Sequence, residues 1–172
     1  MPQKTGSANP ESAAVAAAEA QSSTPMRVRS IEAVASSRRL TVGPDAPMVE
    51  VAALLSSAVT HVVVVCDSSG APLGTISEAV LVRRLGLGQA DFFTTRAADV
   101  MTRGFATCAP EDVLADVLAK MHEDDIHQML LIDETHHLLG VLTPRDGLRA
   151  LLAAGNQEET LLRNYVMGVG YQ

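Results

Sequence analysis

Seven consecutive residues, Gly140-Val141-Leu142-Thr143-Pro144-Arg145-Asp146, bring together the side chains in this chain best suited to hold a ligand. Apolar residues lead into a hydroxyl, a proline, a guanidinium and a carboxylate, the order expected of a strand that runs straight into a helix start. A helix start presents free N–H groups and the positive end of the helix dipole, and both attract phosphate. Thr143 adds a hydroxyl and Arg145 a positive charge. An ionised Asp146 only accepts hydrogen bonds and could take both hydroxyls of a ribose, as an acidic residue does in dinucleotide-binding folds. The same spacing also has a purely structural meaning. Thr143 and Asp146 stand as the N-cap and N3 residues of a capping box, with Asp where Glu or Gln is usual. On the first reading the segment has the parts of a nucleotide site without any catalytic group, and on the second it is a helix cap.

The elements that must position this segment occur twice. Leu73-Gly74-Thr75-Ile76-Ser77 returns as Leu139-Gly140-Val141-Leu142-Thr143, 66 residues later. The same offset places Thr41 on Thr107, Pro44 on Pro110, His61 on His127 and Asp67 on Asp133. A spacing held this long without a gap means two copies of one folding unit. Each copy reads as strand, helix, strand, strand, helix. In the first, Leu40 to Val42 is a short strand. A helix starts at Pro44 to Pro47 with Met48, Val51, Ala52 and Leu55 on its apolar face. Val62 to Asp67 is a β-branched run of the kind covered on both faces, and Asp67 to Gly70 turns into a strand at Leu73 to Ile76. Glu78 to Leu85 closes the unit as a helix. The second unit predicts a strand at Phe105 to Thr107 and a helix from about Glu111 to Glu123 with Val113, Leu114, Val117, Leu118 and Met121 inward. Strands at Met129 to Asp133 and Leu138 to Leu142 and a helix over Pro144 to Ala153 complete it. Neither hairpin can bury its strands alone, so the units are expected to pack about a pseudo-two-fold axis with a cleft between them.

The domain plan is therefore a tail over 1–25, unit one over 26–85, a linker over 86–95, unit two over 96–153 and a C-terminal helix and tail over 154–172. The tail is Ala, Ser, Gln, Pro and Thr with almost no large apolar side chain, a composition that predicts disorder. Glu158 to Met167 carries Leu161, Leu162, Tyr165 and Val166 at helical spacing. The fold class is α/β (α+β).

With 47% hydrophobic residues, the 172-residue chain has enough apolar material for a core. No apolar run approaches the roughly 20 residues a bilayer span needs, and no secretory signal is visible, which predicts a cytoplasmic protein. A net charge of −7 and five aromatic residues leave neither a basic stripe nor a stacking platform for nucleic acid. Cys66 and Cys108 do not correspond under the repeat, as expected of two reduced thiols. His122, Asp124, Asp125, His127, His136 and His137 include metal-ligating types. However, His136-His137 falls in a polar turn, and Glu123-Asp124-Asp125 reads as the solvated end of a helix, so no metal is expected. No Gly-x-Ser-x-Gly elbow or catalytic Cys and His context appears, and no enzyme is expected.

Four stretches carry a family resemblance: Asp99-Val100-Met101-Thr102, Thr107 to Pro110, Ile126 to Asp133, and the Gly-x-x-Thr-x-x-Asp ending of Gly140 to Asp146. Together, and repeated, they resemble paired cystathionine β-synthase (CBS) domains over Met26 to Ala153, a Bateman module. The resemblance implies a regulatory module that binds an adenosine nucleotide (AMP, ADP or ATP), or S-adenosylmethionine, in the cleft between the repeats. It implies a homodimer that signals to a partner protein by population shift. By position, Thr143 and Arg145 would contact phosphate and Asp146 the ribose, while backbone around Arg103, Ile126 and Gln128 would meet the adenine. Two positions depart from the pattern. Val80 stands where the first repeat's ribose acid would be, and Leu130 where a Pro is common. The impaired first half-site leaves a second reading, a CBS pair that serves only as a dimerising scaffold.

Overall fold

The computed structural model describes residues 24–57, 60–88 and 90–168. A 3-10 turn, Val28–Ile31, runs into α1 (Glu32–Ser37). Unit one continues with β1 (Thr41–Val42), α2 (Met48–Ser57), β2 (Val62–Cys66), β3 (Pro72–Ser77) and α3 (Glu78–Gly86). A second 3-10 turn, Phe92–Thr94, leads to α4 (Ala97–Val100), β4 (Ala106–Cys108), α5 (Leu114–Glu123), β5 (Met129–Ile132), β6 (Leu138–Leu142) and α6 (Pro144–Gly168). Apart from Thr24 and Pro25, the tail expected over 1–25 lies outside the described residues, as do residues 169–172.

Each unit folds into a three-stranded sheet, β1-β2-β3 and β4-β5-β6, in which the first pair is parallel and the second antiparallel. The central strand is covered on both faces, as its β-branched run requires. Alternation assigns the faces. Val63 and Val65 point into their own unit's core with Met48, Val51 and Leu55, while Val62, Val64 and Cys66 meet Leu130, Leu138 and Val141 of the other sheet. The two units thus share a third, sheet-on-sheet core.

The units also exchange their lead-in segments. Val28, Ile31 and Ala35 belong to the core of unit two, whereas Phe92, Ala97 and Val100 belong to that of unit one. The backbone contacts are reciprocal. Val28 and Arg29 donate to the carbonyls of Asp112 and Pro110, and Ala97 and Ala98 donate to those of Ala46 and Pro44. Bridges join Arg27 to Val113 and Arg96 to Pro47. The repeat-equivalent glycines receive the segments. A Cβ on Gly140 would sit 2.4 Å from the Ala35 carbonyl carbon, and one on Gly74 would sit 2.8 Å from the Met101 side chain and the Thr102 oxygen. The glycine of the Gly-x-x-Thr ending is therefore needed for close approach of another chain segment rather than for an unusual backbone angle.

This exchange explains where the structure departs from expectation. Residues 110–113 and 44–47 are paired to the partner segments, so α5 begins at Leu114 rather than about Glu111, and α2 at Met48. Three strands are shorter by a residue, with Leu40, Asp67 and Asp133 outside them, while β4 is shifted by one to Ala106–Cys108 and β3 extends a residue further at each end, to Pro72–Ser77. The linker contributes Phe92, 1% exposed, to the core. The two C-terminal helices expected over 144–153 and 158–167 are one continuous α6. A single exposed Gly155 in its interior costs only about 1 kcal/mol, too little to break it. Among the described residues no helix is long and apolar enough to cross a membrane.

Candidate functional site

The junction between β6 and α6 places Thr143 and Asp146 together. The Thr143 hydroxyl donates to Asp146 Oδ2 at 2.6 Å, and the Asp146 amide donates to the Thr143 carbonyl at 3.1 Å. The Asp146 side chain is 3% exposed. A buried carboxylate needs a counter-charge, and Arg38, just past the end of α1, supplies it. Its Nη2 donates to Oδ1 at 2.9 Å and its Nε lies 2.8 Å from Oδ2. The Nε–H is not aimed at that oxygen, so this buried nitrogen contributes charge at close range without a hydrogen bond. Burial alone would raise the Asp146 pKa. The hydrogen bonds from Arg38 and Thr143 and the Arg38 charge outweigh it, and the carboxyl is held below its ordinary value.

The remaining residues singled out from the sequence take separate places. Arg145 is exposed on the first turn of α6. Ile126 lines a recess of about 390 Å³ with His127, Pro144 and Leu148. Gln128 is half-buried at the residue before β5. Arg103 is exposed and follows Thr102, which is paired with Thr75 of unit one. Thr102 lines a cleft of about 350 Å³ with Val80, Arg83, Arg84 and Val100. Arg103 is thus carried toward the Val80 half, while the residue brought against Asp146 is Arg38.

Sequence reasoning passed over Arg38, although the repeat holds a signal for it. Moved by the 66-residue offset, the pair Arg38 and Asp146 becomes Gly104 and Val80. At these two positions arginine and acid are present together in one half-site and replaced together in the other, whose cleft is lined instead by Arg83 and Arg84.

The other acidic and histidine candidates have local roles. Asp133 closes the turn between β5 and β6. Its Oδ1 accepts from the Thr135 amide at 2.8 Å, the Thr135 hydroxyl at 2.7 Å and the His137 amide at 2.9 Å. These bonds hold its carboxyl down at about 2. Asp67 does the same for Ser69 and Ala71 in unit one. Among the described residues, no three His, Cys, Asp or Glu side chains converge on a metal position. Both thiols are free and buried; burial pushes Cys66 up, and pushes Cys108 up to about 12.

Comparison with known proteins fits this architecture. The CBS domain model matches residues 28–86 and 97–153. Over 57 residues the chain is 35% identical to the human 5'-AMP-activated protein kinase subunit gamma-3, covering 33% of this chain and 12% of that one. It is 33% identical over 110 residues to the arabinose 5-phosphate isomerase KdsD of Yersinia pestis, covering 64% of this chain and 33% of the isomerase. The chain therefore spans a third or less of the curated relatives it matches. Among solved structures, a putative acetoin utilization protein (AcuB) from Vibrio cholerae superposes with a TM-score of 0.68 at 17% identity, over 80% of this chain and 98% of that one. The CBS domain pair of protein MJ0100, solved with 5'-methylthioadenosine and S-adenosyl-L-methionine, superposes with a TM-score of 0.63 at 19% identity, over 76% of this chain and 99% of the other. Two matched repeats, two equivalent sheets and reciprocal lead-in segments establish that this chain belongs to the CBS-domain family as a tandem pair.

Proposed function

We propose that this chain is a regulatory ligand-binding module rather than an enzyme. It takes an adenosine nucleotide (AMP, ADP or ATP) between its two repeats, with Asp146 as the ribose acceptor and Thr143 and the α6 N-terminus facing phosphate. The observation that carries the reading is a buried carboxylate, kept ionised, on the first turn of a helix that follows Gly140-Val141-Leu142-Thr143. Relatives support it by their names alone, one a subunit of an AMP-activated kinase and another a CBS pair with two adenosine compounds bound. The exchanged lead-in segments supply a route for regulation. A ligand at Asp146 touches elements of both units, so its differential affinity for two arrangements of the units shifts their populations and signals to a partner protein. Self-association as a homodimer is assigned to the exposed, repeat-equivalent Val82 and Leu148 of α3 and α6.

A second reading is favoured by one observation. Both Asp146 oxygens already have partners, as expected of a purely structural ion pair in a dimerising scaffold. Thermal shift with AMP, ADP, ATP, S-adenosylmethionine and guanosine nucleotides separates the two. A nucleotide at 100 times its Kd stabilises the native state by about 2.7 kcal/mol. A stabilisation by adenine nucleotides that Asp146→Asn loses supports the sensor. A flat panel on folded protein overturns it in favour of the scaffold.

A further inference from the structure

We propose that Arg38 selects the ligand: the Asp146 site admits an adenosine compound only when that compound carries an anionic group able to take over the Arg38 guanidinium. The proposal rests on the adenosine reading above and deepens it by naming the class of ligand.

A ribose diol donates two O–H groups and needs one acceptor for each. On Asp146, Oδ1 already accepts from Arg38 Nη2, while Oδ2 holds the Thr143 hydroxyl and lies against Arg38 Nε. Each oxygen has room for a further hydrogen bond, but the carboxylate is only 3% exposed and Arg38 lies against both oxygens, so a ribose reaches it only by displacing the guanidinium. Arg38 cannot retreat with its backbone. Its amide donates to the Ala35 carbonyl, and Ala35 lies directly on Gly140, where even a methyl group would not fit. Only the side chain can swing away.

What the swing costs depends on what the ligand returns. The Arg38 side chain is 22% exposed, so once parted from Asp146 it is neither buried against a counter-charge nor fully hydrated. Two further cations sit close along the chain: exposed Arg39, which donates to the Leu138 carbonyl at 3.2 Å, and exposed Arg145, one residue from Asp146. A neutral nucleoside removes the carboxylate from Arg38 and offers nothing in exchange. S-adenosylmethionine brings a sulfonium charge into the group at the 5' position, and its one anion, the amino acid's carboxylate, lies beyond that charge and beside an ammonium, so it binds more weakly than AMP. A phosphate gives the planar fork a bidentate partner of the geometry it recognises best, including the Nε–H that Asp146 leaves without a hydrogen bond. At the positions equivalent to the acid and the arginine the other half-site has Val80 and Gly104, as expected if the two act as one unit.

The test is isothermal titration of the full chain and of Arg38→Met with AMP, adenosine and S-adenosylmethionine. A parallel NMR experiment follows the Arg38 Nε–H resonance of the unaltered protein, so that the outcome does not depend on the variant's folding. The expected result is a preference of the unaltered chain for AMP over adenosine by about tenfold or more, the scale of one charge-assisted contact. Arg38→Met brings the two affinities together by strengthening adenosine and weakening AMP. The Arg38 resonance moves on addition of AMP. Equal binding of AMP and adenosine by the unaltered chain, or an AMP preference that survives Arg38→Met with a stationary resonance, overturns the selection by Arg38 and leaves the adenosine site standing. Binding of none of the three by either protein overturns both.

Discussion

Replacing Gly140 by Ala puts a methyl group against the backbone of a segment that comes from the other unit. The new Cβ would lie 2.4 Å from the Ala35 carbonyl carbon, 2.5 Å from its oxygen and 2.6 Å from the Ser36 nitrogen, where ordinary contact begins at 3.4 Å. All three atoms are backbone, so no rotamer change relieves the overlap, and the end of α1 must retreat by about 1 Å from a close-packed interface. Overpacking of this kind costs about 1–3 kcal/mol, and the upper half of that range applies because the neighbour is a hydrogen-bonded helix end. At Gly74 two of the three neighbours belong to the flexible Met101 side chain and only the Thr102 carbonyl oxygen is backbone, all at 2.8 Å, so Gly74→Ala costs less. At Gly155, which faces open space within α6, alanine is stabilising by up to about 1 kcal/mol. Urea denaturation of the three variants reads these differences, and at this chain length 2 kcal/mol corresponds to roughly 4–8 °C in Tm. A Gly140→Ala variant as stable as the unaltered protein, or less damaged than Gly74→Ala, would refute the exchanged packing.

Further outcomes follow from individual residues. His136 has φ 64° where the equivalent turn of unit one has Gly70 at φ 88°, so His136→Gly relieves a left-handed histidine and stabilises by about 1 kcal/mol in the same denaturation assay. Burial keeps the Cys66 and Cys108 thiols protonated, and both stay inert to a thiol reagent in native buffer and react on denaturation; rapid native labelling would contradict their placement. The folded-state pKa of Asp133, about 2, is below its ordinary 3.8. Its contribution to stability is therefore complete above pH 3.8 and is lost as pH falls toward 2, so Asp133→Asn flattens the stability profile in that window.

Much of this fold is legible in the sequence because its signals are local. Five consecutive residues, Val62 to Cys66, are apolar and mostly β-branched, which only a doubly covered strand satisfies, and the constant 66-residue offset gives the second unit once the first is read. Thr143 and Asp146 also come together as their spacing requires. The exchange of lead-in segments is not legible, because it joins residues such as Ala35 and Gly140 that carry no mutual signature along the chain. For the same reason Val28 to Ser37, with three serines, one arginine and a short apolar stripe, does not announce a helix. Its stability comes from the cleft it fills. Arg38 escapes notice with it, since an arginine beside a second arginine after a serine pair looks like a solvated turn until the fold sets it against a buried carboxylate.

The most direct test of the central claim is an amide NMR titration of the full chain with AMP. The account predicts saturable shifts centred on Thr143 to Gly147, extending to Arg38 and Arg39 and to Ile126 to Gln128, with the Val80 half largely still. Saturable shifts centred on Val80 to Leu87, or an unchanged spectrum at millimolar AMP, would contradict it.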